Sequence, residues 1–195
     1  MKRVLTLFLA LALSLAICLS FAGCAKPEST VSGQAHQSQA EIDEGYYYYE
    51  SILLDKADVV KAFKKANKDF PKYRVSPPEF HVTTEFMPAE HHDALYGTKV
   101  TVHIIGYTYG TVHDDEEDLD SQNEGFIVEL STDNEDMQAL LDSYEKTWHV
   151  TGSYTEGGKY TEFLDWDDAK PMDITLTGTF GGADSNEVFY TEPEA

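Results

Sequence analysis

The chain has 195 residues, with 14 basic against 35 acidic side chains and a net charge of −21. Apolar residues at 42% and charged residues at 25% make a globular composition, which excludes a collagen-like or wholly disordered chain. The acidic excess argues against DNA or RNA as a partner, because such affinity rests on Lys and Arg neutralising phosphates, and against polybasic attachment to anionic lipid.

At the N-terminus, Lys2 and Arg3 form a positive start, and residues 4–17 are apolar except for Thr6 and Ser14. A charged start, an apolar run and small residues after it are the build of a secretory signal. Phe21-Ala22-Gly23-Cys24 adds a more specific feature. It resembles the lipobox of bacterial lipoproteins, where the cysteine thiol receives a diacylglyceryl group and becomes the new N-terminus. Phe21 stands where that pattern usually carries Leu, and keeps its bulky apolar character. Cys18 follows Ile17, a poor residue before a cut, so Cys24 is the expected lipidation site. The resemblance implies a signal peptide over residues 1–23, a palmitate-type lipid anchor and a place on the extracytoplasmic face of the cell membrane. Two other readings stay open. Residues 4–23 are just long enough to remain as a membrane span, and a plain secretory signal would release the chain.

Both cysteines lie in this segment, so a mature domain has neither a disulfide nor a thiolate metal ligand. Cleavage also removes Lys2 and Arg3, leaving 12 basic against 35 acidic residues, a charge of −23. Residues 24–45 are rich in Ser, Gln, Ala and Glu and read as a flexible tether, spanning about 25 Å as a random coil. Residues 46–195 read as a single β-rich extracytoplasmic domain.

That domain opens with Tyr46-Tyr47-Tyr48-Tyr49, read as a short strand or helix lead-in that packs two rings and exposes two. Ile52, Leu53, Val59, Val60 and Phe63 fall near helical spacing and predict an amphipathic helix between residues 51 and 67. Asp55 or Asp58 caps it, and Lys61, Lys64, Lys65 and Lys68 load its C-terminal end, which suits the helix dipole. After Pro77-Pro78, the residues Phe80, Val82, Thr84 and Phe86 alternate as a strand. Val100, Val102 and Ile104 begin another that runs to Val112, and Phe126, Val128 and Leu130 form a third. Met137, Leu140, Leu141 and Tyr144 return to helical spacing, with Asp133 or Asn134 as cap. Trp148, Val150 and Tyr154 alternate next. An aromatic run over residues 160–166, the strand Ile174, Leu176, Phe180, and a short run at residues 188–190 complete the domain. Shared parity assigns the core to Val100, Val102, Phe126, Val128, Trp148, Val150, Ile174 and Leu176.

One pattern recurs. Val150-Thr151-Gly152-Ser153-Tyr154 matches Leu176-Thr177-Gly178-Thr179-Phe180, and Ile104-Ile105-Gly106-Tyr107 is a looser copy. A glycine inside a strand marks a bulge or bend, as a small barrel needs at its corners. Bent strands, then a helix, then Thr147-Trp148-His149-Val150-Thr151-Gly152 resemble the OB-fold family named for its likeness to tRNA anticodon-binding domains, which occurs in small bacterial lipoproteins. The resemblance spans residues 96–180 and implies a mainly β (α+β) fold: a small OB-like bent barrel with one internal helix, preceded by the N-terminal amphipathic helix. It implies no nucleic-acid partner for an exported acidic chain.

The search for chemistry is negative. The sequence carries no Gly-x-Ser-x-Gly, His-Glu-x-x-His or Cys-x-x-Cys, and Gly97-Thr98-Lys99 lacks the rest of a phosphate loop. Among 35 acidic residues no carboxylate pair can be singled out. His81, His103 and His149 alternate with apolar residues and belong on a polar face. His91-His92-Asp93 follows Pro88 and reads as a solvated loop, since a zinc or copper site needs three or four converging ligands. Residues 113–124 hold seven acidic side chains in twelve and read as a mobile, self-repelling connection. Calcium is the alternative, but the spacing departs from the helix-loop-helix pattern: Leu119 stands where a start at Asp114 needs glycine, and Ser131 where a start at Asp120 needs Glu.

The expectation is therefore a non-catalytic binding or interaction lipoprotein. Its partners are the cytoplasmic membrane, through the lipid at Cys24, and an envelope protein or small ligand. No catalytic residue, cofactor or bound metal is expected. Exported metal binding and an envelope hydrolase with a carboxylate pair are the alternatives.

Overall fold

Alternating apolar residues dominate from Tyr48 onward, and the backbone of such runs is satisfied only by pairing with neighbouring strands. The computed structural model describes residues 48–114, 119–155, 161, 164–184 and 188–192. The expected signal peptide (residues 1–23), the expected tether (24–45) and Cys24 lie outside the described residues. The elements are β1 (Tyr48–Leu54), α1 (Lys56–Ala66), β2 (His81–Phe86), a 3-10 turn (Asp93–Leu95), β3 (Lys99–Asp114), β4 (Leu119–Ser131), α2 (Glu135–Asp142), β5 (Trp148–Tyr154), β6 (Lys170–Asp184) and β7 (Phe189–Tyr190). The strands form one antiparallel sheet in the order β2-β1-β6-β3-β4-β5, with β7 on β6. Among the described residues the fold is mainly β with two α-helices. Among the described residues no helix is long and apolar enough to cross a membrane.

The sheet is not closed. Its end strands β2 and β5 approach each other without a hydrogen-bonded ladder. Side chains bridge the gap instead: Lys146 Nζ donates to the carbonyls of Thr83 and Thr84 at 3.0 and 2.5 Å, and the Tyr144 hydroxyl donates to Glu85 at 2.8 Å.

One expectation about the first elements is corrected. Ile52 and Leu53 belong to β1, not to the helix, because β1 pairs with β2 on one side and β6 on the other. Two ladders outweigh local periodicity. Asp55 then starts α1 by accepting from the amides of Ala57 and Asp58 at 2.9 and 3.0 Å. Tyr48 and Tyr49 are both buried in β1. The second helix forms where expected but ends at Asp142, short of Tyr144, with Asn134 accepting from the Met137 amide at 2.9 Å and Met137 and Leu141 buried.

The core centres on Phe63 of α1, which is 0% exposed. Its ring stacks on Phe126 at 3.9 Å and on Phe70 at 4.6 Å, with Tyr107 edge-on at 6.3 Å. Of the eight expected core residues, Val100, Val102, Phe126, Val128 and Val150 are buried. Trp148, Ile174 and Leu176 are only half-buried and pack at the rim. Trp148 sits under the Lys146 ammonium, 4.8 Å from its ring, where an open end strand leaves one face to solvent.

Two of the three recurrent glycines lie at bulges. Register slips between Ile104 and Gly106 in β3, and between Glu124 and Gly125 of β4 opposite Gly152. Gly178 pairs regularly and instead lets β1 approach, since a Cβ there would overlap Ile52. At Gly152 a Cβ would stand 2.5 Å from the Phe63 ring. Gly152→Ala is expected to lower stability by about 1–3 kcal/mol, the usual cost of overpacking, read as a lower urea midpoint at unchanged slope. An unchanged midpoint would show that α1 does not press its aromatic ring against β5.

The acidic stretch is also corrected in part. His113 and Asp114 pair with Asp120 and Leu119, so β3 and β4 continue as a hairpin into it, and β4 begins at Leu119, seven residues before Phe126. Residues 115–118 lie outside the described residues. In the aromatic run of residues 160–166, the described Thr161 and Leu164–Trp166 are not strand.

Candidate functional site

Among the described residues two glutamates are 0% exposed, Glu124 on β4 and Glu50 on β1. A carboxylate out of water must be met by donors or counter-charges. Glu124 is met by structure: it accepts from the Lys72 amide at 2.7 Å, from the Tyr107 hydroxyl at 2.8 Å, and from the Ser153 hydroxyl. These bonds tie the loop after α1 to the sheet and take Glu124 out of any calcium loop.

Glu50 has a different company. The His92 amide donates to Oε1 at 2.7 Å, and His92 Nδ1 lies 2.7 Å from Oε2. The Tyr96 hydroxyl lies 3.4 Å from Oε1 and is itself hydrogen-bonded to Tyr48. Directly across the ladder stands Glu85. Cross-strand partners share a face, so two carboxylates meet on one side of the sheet. One donor atom from each of Glu50, Glu85 and His92 lies within 4.8 Å of the other two. Burial pushes the Glu50 carboxyl above its ordinary value, and the His92 bonds oppose the shift. Burial likewise raises the hydroxyls of Tyr48, Tyr96 and Tyr144, which stay protonated donors.

A bulge assembles this group. β2 alternates Val82 and Thr84 inward, which would leave Glu85 outward beside Thr83. Register slips between Glu50 and Ser51: Glu50 pairs with Glu85 but Ser51 with Thr83, so Thr84 is the extra residue. The slip turns Glu85 onto the Glu50 side. It also overturns the expected inward Phe86, which is 60% exposed. Met87 follows at φ 54°, a left-handed conformation costing about 1–2 kcal/mol, held by its amide on the Tyr48 carbonyl at 2.8 Å. The chain reverses there and returns to the sheet through His92 and the 3-10 turn, where the Leu95 amide bonds the His92 carbonyl at 2.8 Å.

The histidine expectations divide. His92 is not a plainly solvated loop residue, because its side chain is 30% exposed and bonded to Glu50. His91 lies edge-on to Tyr48 at 4.4 Å. His103 is a surface residue as expected, 3.0 Å from Asp173, whose hydrogen bond raises its pKa. His81 is half-buried beside Tyr49 and Phe189. His149 is corrected: half-buried and stripped of water, its pKa falls to about 4.

Sequence reasoning missed Glu50 and Glu85. A single glutamate in an apolar run (Tyr49-Glu50-Ser51-Ile52) was the available signal for Glu50. Nothing local signals a bulge at Thr84. Three surface grooves, of 330, 590 and 480 Å³, lie elsewhere, and none includes Glu50, Glu85 or His92. No family model, no curated protein and no solved structure matches this chain.

Proposed function

We propose that the chain is a lipid-anchored, extracytoplasmic binding lipoprotein without catalytic activity, held to the cytoplasmic membrane through Cys24. The lipobox-like Phe21-Ala22-Gly23-Cys24 after an apolar run supports the anchor. The observation that carries the binding role is the Glu50–Glu85–His92 group. Glu50 has both oxygens engaged and no exposed surface. A carboxylate so placed cannot reach a glycosidic bond or a peptide, as the pair in a hydrolase must. A small ligand can meet the group through the partly open His92 and Glu85. The long bent antiparallel strands support an OB-like reading of the sheet, with β2 and β5 meeting through side chains rather than a ladder.

Metabolic labelling with a palmitate analogue tests the anchor. The chain is expected to carry the label in the membrane fraction, and Cys24→Ala to lose the label and accumulate as uncleaved precursor. A labelled Cys24→Ala chain would overturn the assignment of that residue.

A further inference from the structure

We propose that Glu50, Glu85 and His92 bind a single divalent transition-metal ion of the zinc class. The proposal rests on the reading of the chain as a binding protein and names its ligand; it does not depend on the lipid anchor. The donors already converge. A tetrahedral ion at about 2.1 Å from its ligands sets them roughly 3.4 Å apart, and these three lie within 4.8 Å of one another. Glu50 supplies a fixed, buried oxygen, while half-buried Glu85 and His92 can close the remaining distance.

Charge points the same way. Two carboxylates face each other across β1 and β2, and among the described residues neither forms an ion pair with a lysine or arginine. Lys146, which reaches the same edge, directs its ammonium at the Thr83 and Thr84 carbonyls. A divalent ion offsets both negative charges where the imidazole alone offsets at most one. The donor set selects the ion. Two oxygens and one imidazole nitrogen suit zinc and its neighbours, whereas magnesium and calcium take oxygen alone.

The surrounding bonds are those that hold ligands in place. Tyr144 donates to Glu85 Oε2 at 2.8 Å, and the His92 amide donates to Glu50 Oε1 at 2.7 Å. Loop anchoring by itself does not need this composition. Glu124 anchors a loop with one amide and two hydroxyls, and no imidazole or second carboxylate is among its bonded partners. Thr84, the extra residue of the bulge, is wholly buried with its hydroxyl unpartnered, a cost that the bulge carries while it pairs the two carboxylates. On binding, the ion replaces the proton that His92 Nδ1 shares with Glu50 Oε2. The imidazole then carries its N–H on Nε2, so no proton is lost, and water completes the coordination.

The test is calorimetric titration of zinc into the full chain in detergent, with Cys18→Ser and Cys24→Ser so that no thiol competes. Excess calcium and 150 mM salt, at about an 8 Å Debye length, suppress loose binding by the acidic surface. One equivalent is expected to bind saturably, with affinity at least about tenfold weaker in both Glu85→Gln and His92→Gln. Both variants replace half-buried side chains and are expected to keep the wild-type circular dichroism spectrum. His103→Gln, at the surface histidine beside Asp173 and Glu129, is expected to leave binding unchanged. No saturable uptake would overturn the proposal, as would wild-type affinity in either Glu85→Gln or His92→Gln, or saturation by calcium but not zinc. Palmitate labelling of the wild-type chain proceeds whatever zinc does, so the metal site and the lipid anchor fail separately.

Discussion

Phe63→Ala is expected to cost about 3–5 kcal/mol, the range for deleting a fully buried aromatic ring. Phe63 joins α1 to the sheet through two stacked rings, Phe126 and Phe70, and removing it opens a space walled by Tyr107, Phe80 and the backbone at Gly152. None of these neighbours can collapse cheaply, since β4 and β5 are held by their ladder. Trp148→Ala is expected to cost less, because that side chain is half-exposed already. Urea melts of the two variants give the order directly. A larger loss for Trp148→Ala would place the centre of the core at the β5 edge rather than under α1.

Stability is expected to fall by about 2–3 kcal/mol through His149 as pH drops from 6.5 toward 4. Desolvation lowers the His149 pKa from 6.5 to about 4, and the nearby charges of Lys146 and His81 push it the same way, against a hydrogen bond with the Thr147 backbone. The folded state therefore binds a proton less readily than the unfolded state. The full contribution is present above the unfolded value of 6.5 and is lost progressively as pH falls toward the folded value of about 4. Glu50 works in the opposite sense, because its folded pKa is raised and acid relieves its burial. The His149 part is isolated by subtracting the pH profile of His149→Gln from that of the wild type. A flat difference between pH 7 and pH 4.5 would show that the imidazole is hydrated. The alternation that put His149 on a polar face did so correctly by parity; it could not tell that this face is partly covered.

The amino-acid sequence by itself determined the mainly β character, because alternation in β3, β4, β5 and β6 leaves no other way to bury one face of each run. It determined the second helix and narrowed its cap to Asp133 or Asn134, because capping is a contact between neighbours a few residues apart. It also marked Gly106 and Gly152 as irregular points, since a strand loses side-chain packing at glycine and keeps it only for a reason. What it could not determine depends on partners far along the chain. Ile52 and Leu53 have helical spacing, yet they lie in a strand because β2 and β6 pair with them from residues 81–86 and 170–184. Phe86 has inward parity, yet it faces solvent because one extra residue at Thr84 reverses the alternation. The same reversal brings Glu85 opposite Glu50, and the turn at Met87 brings back His92 to complete the group. Local propensity is blind to register, and register decides which of 35 acidic residues meet. The candidate site is therefore a product of tertiary structure, whereas the fold class was already written in the period of the apolar residues.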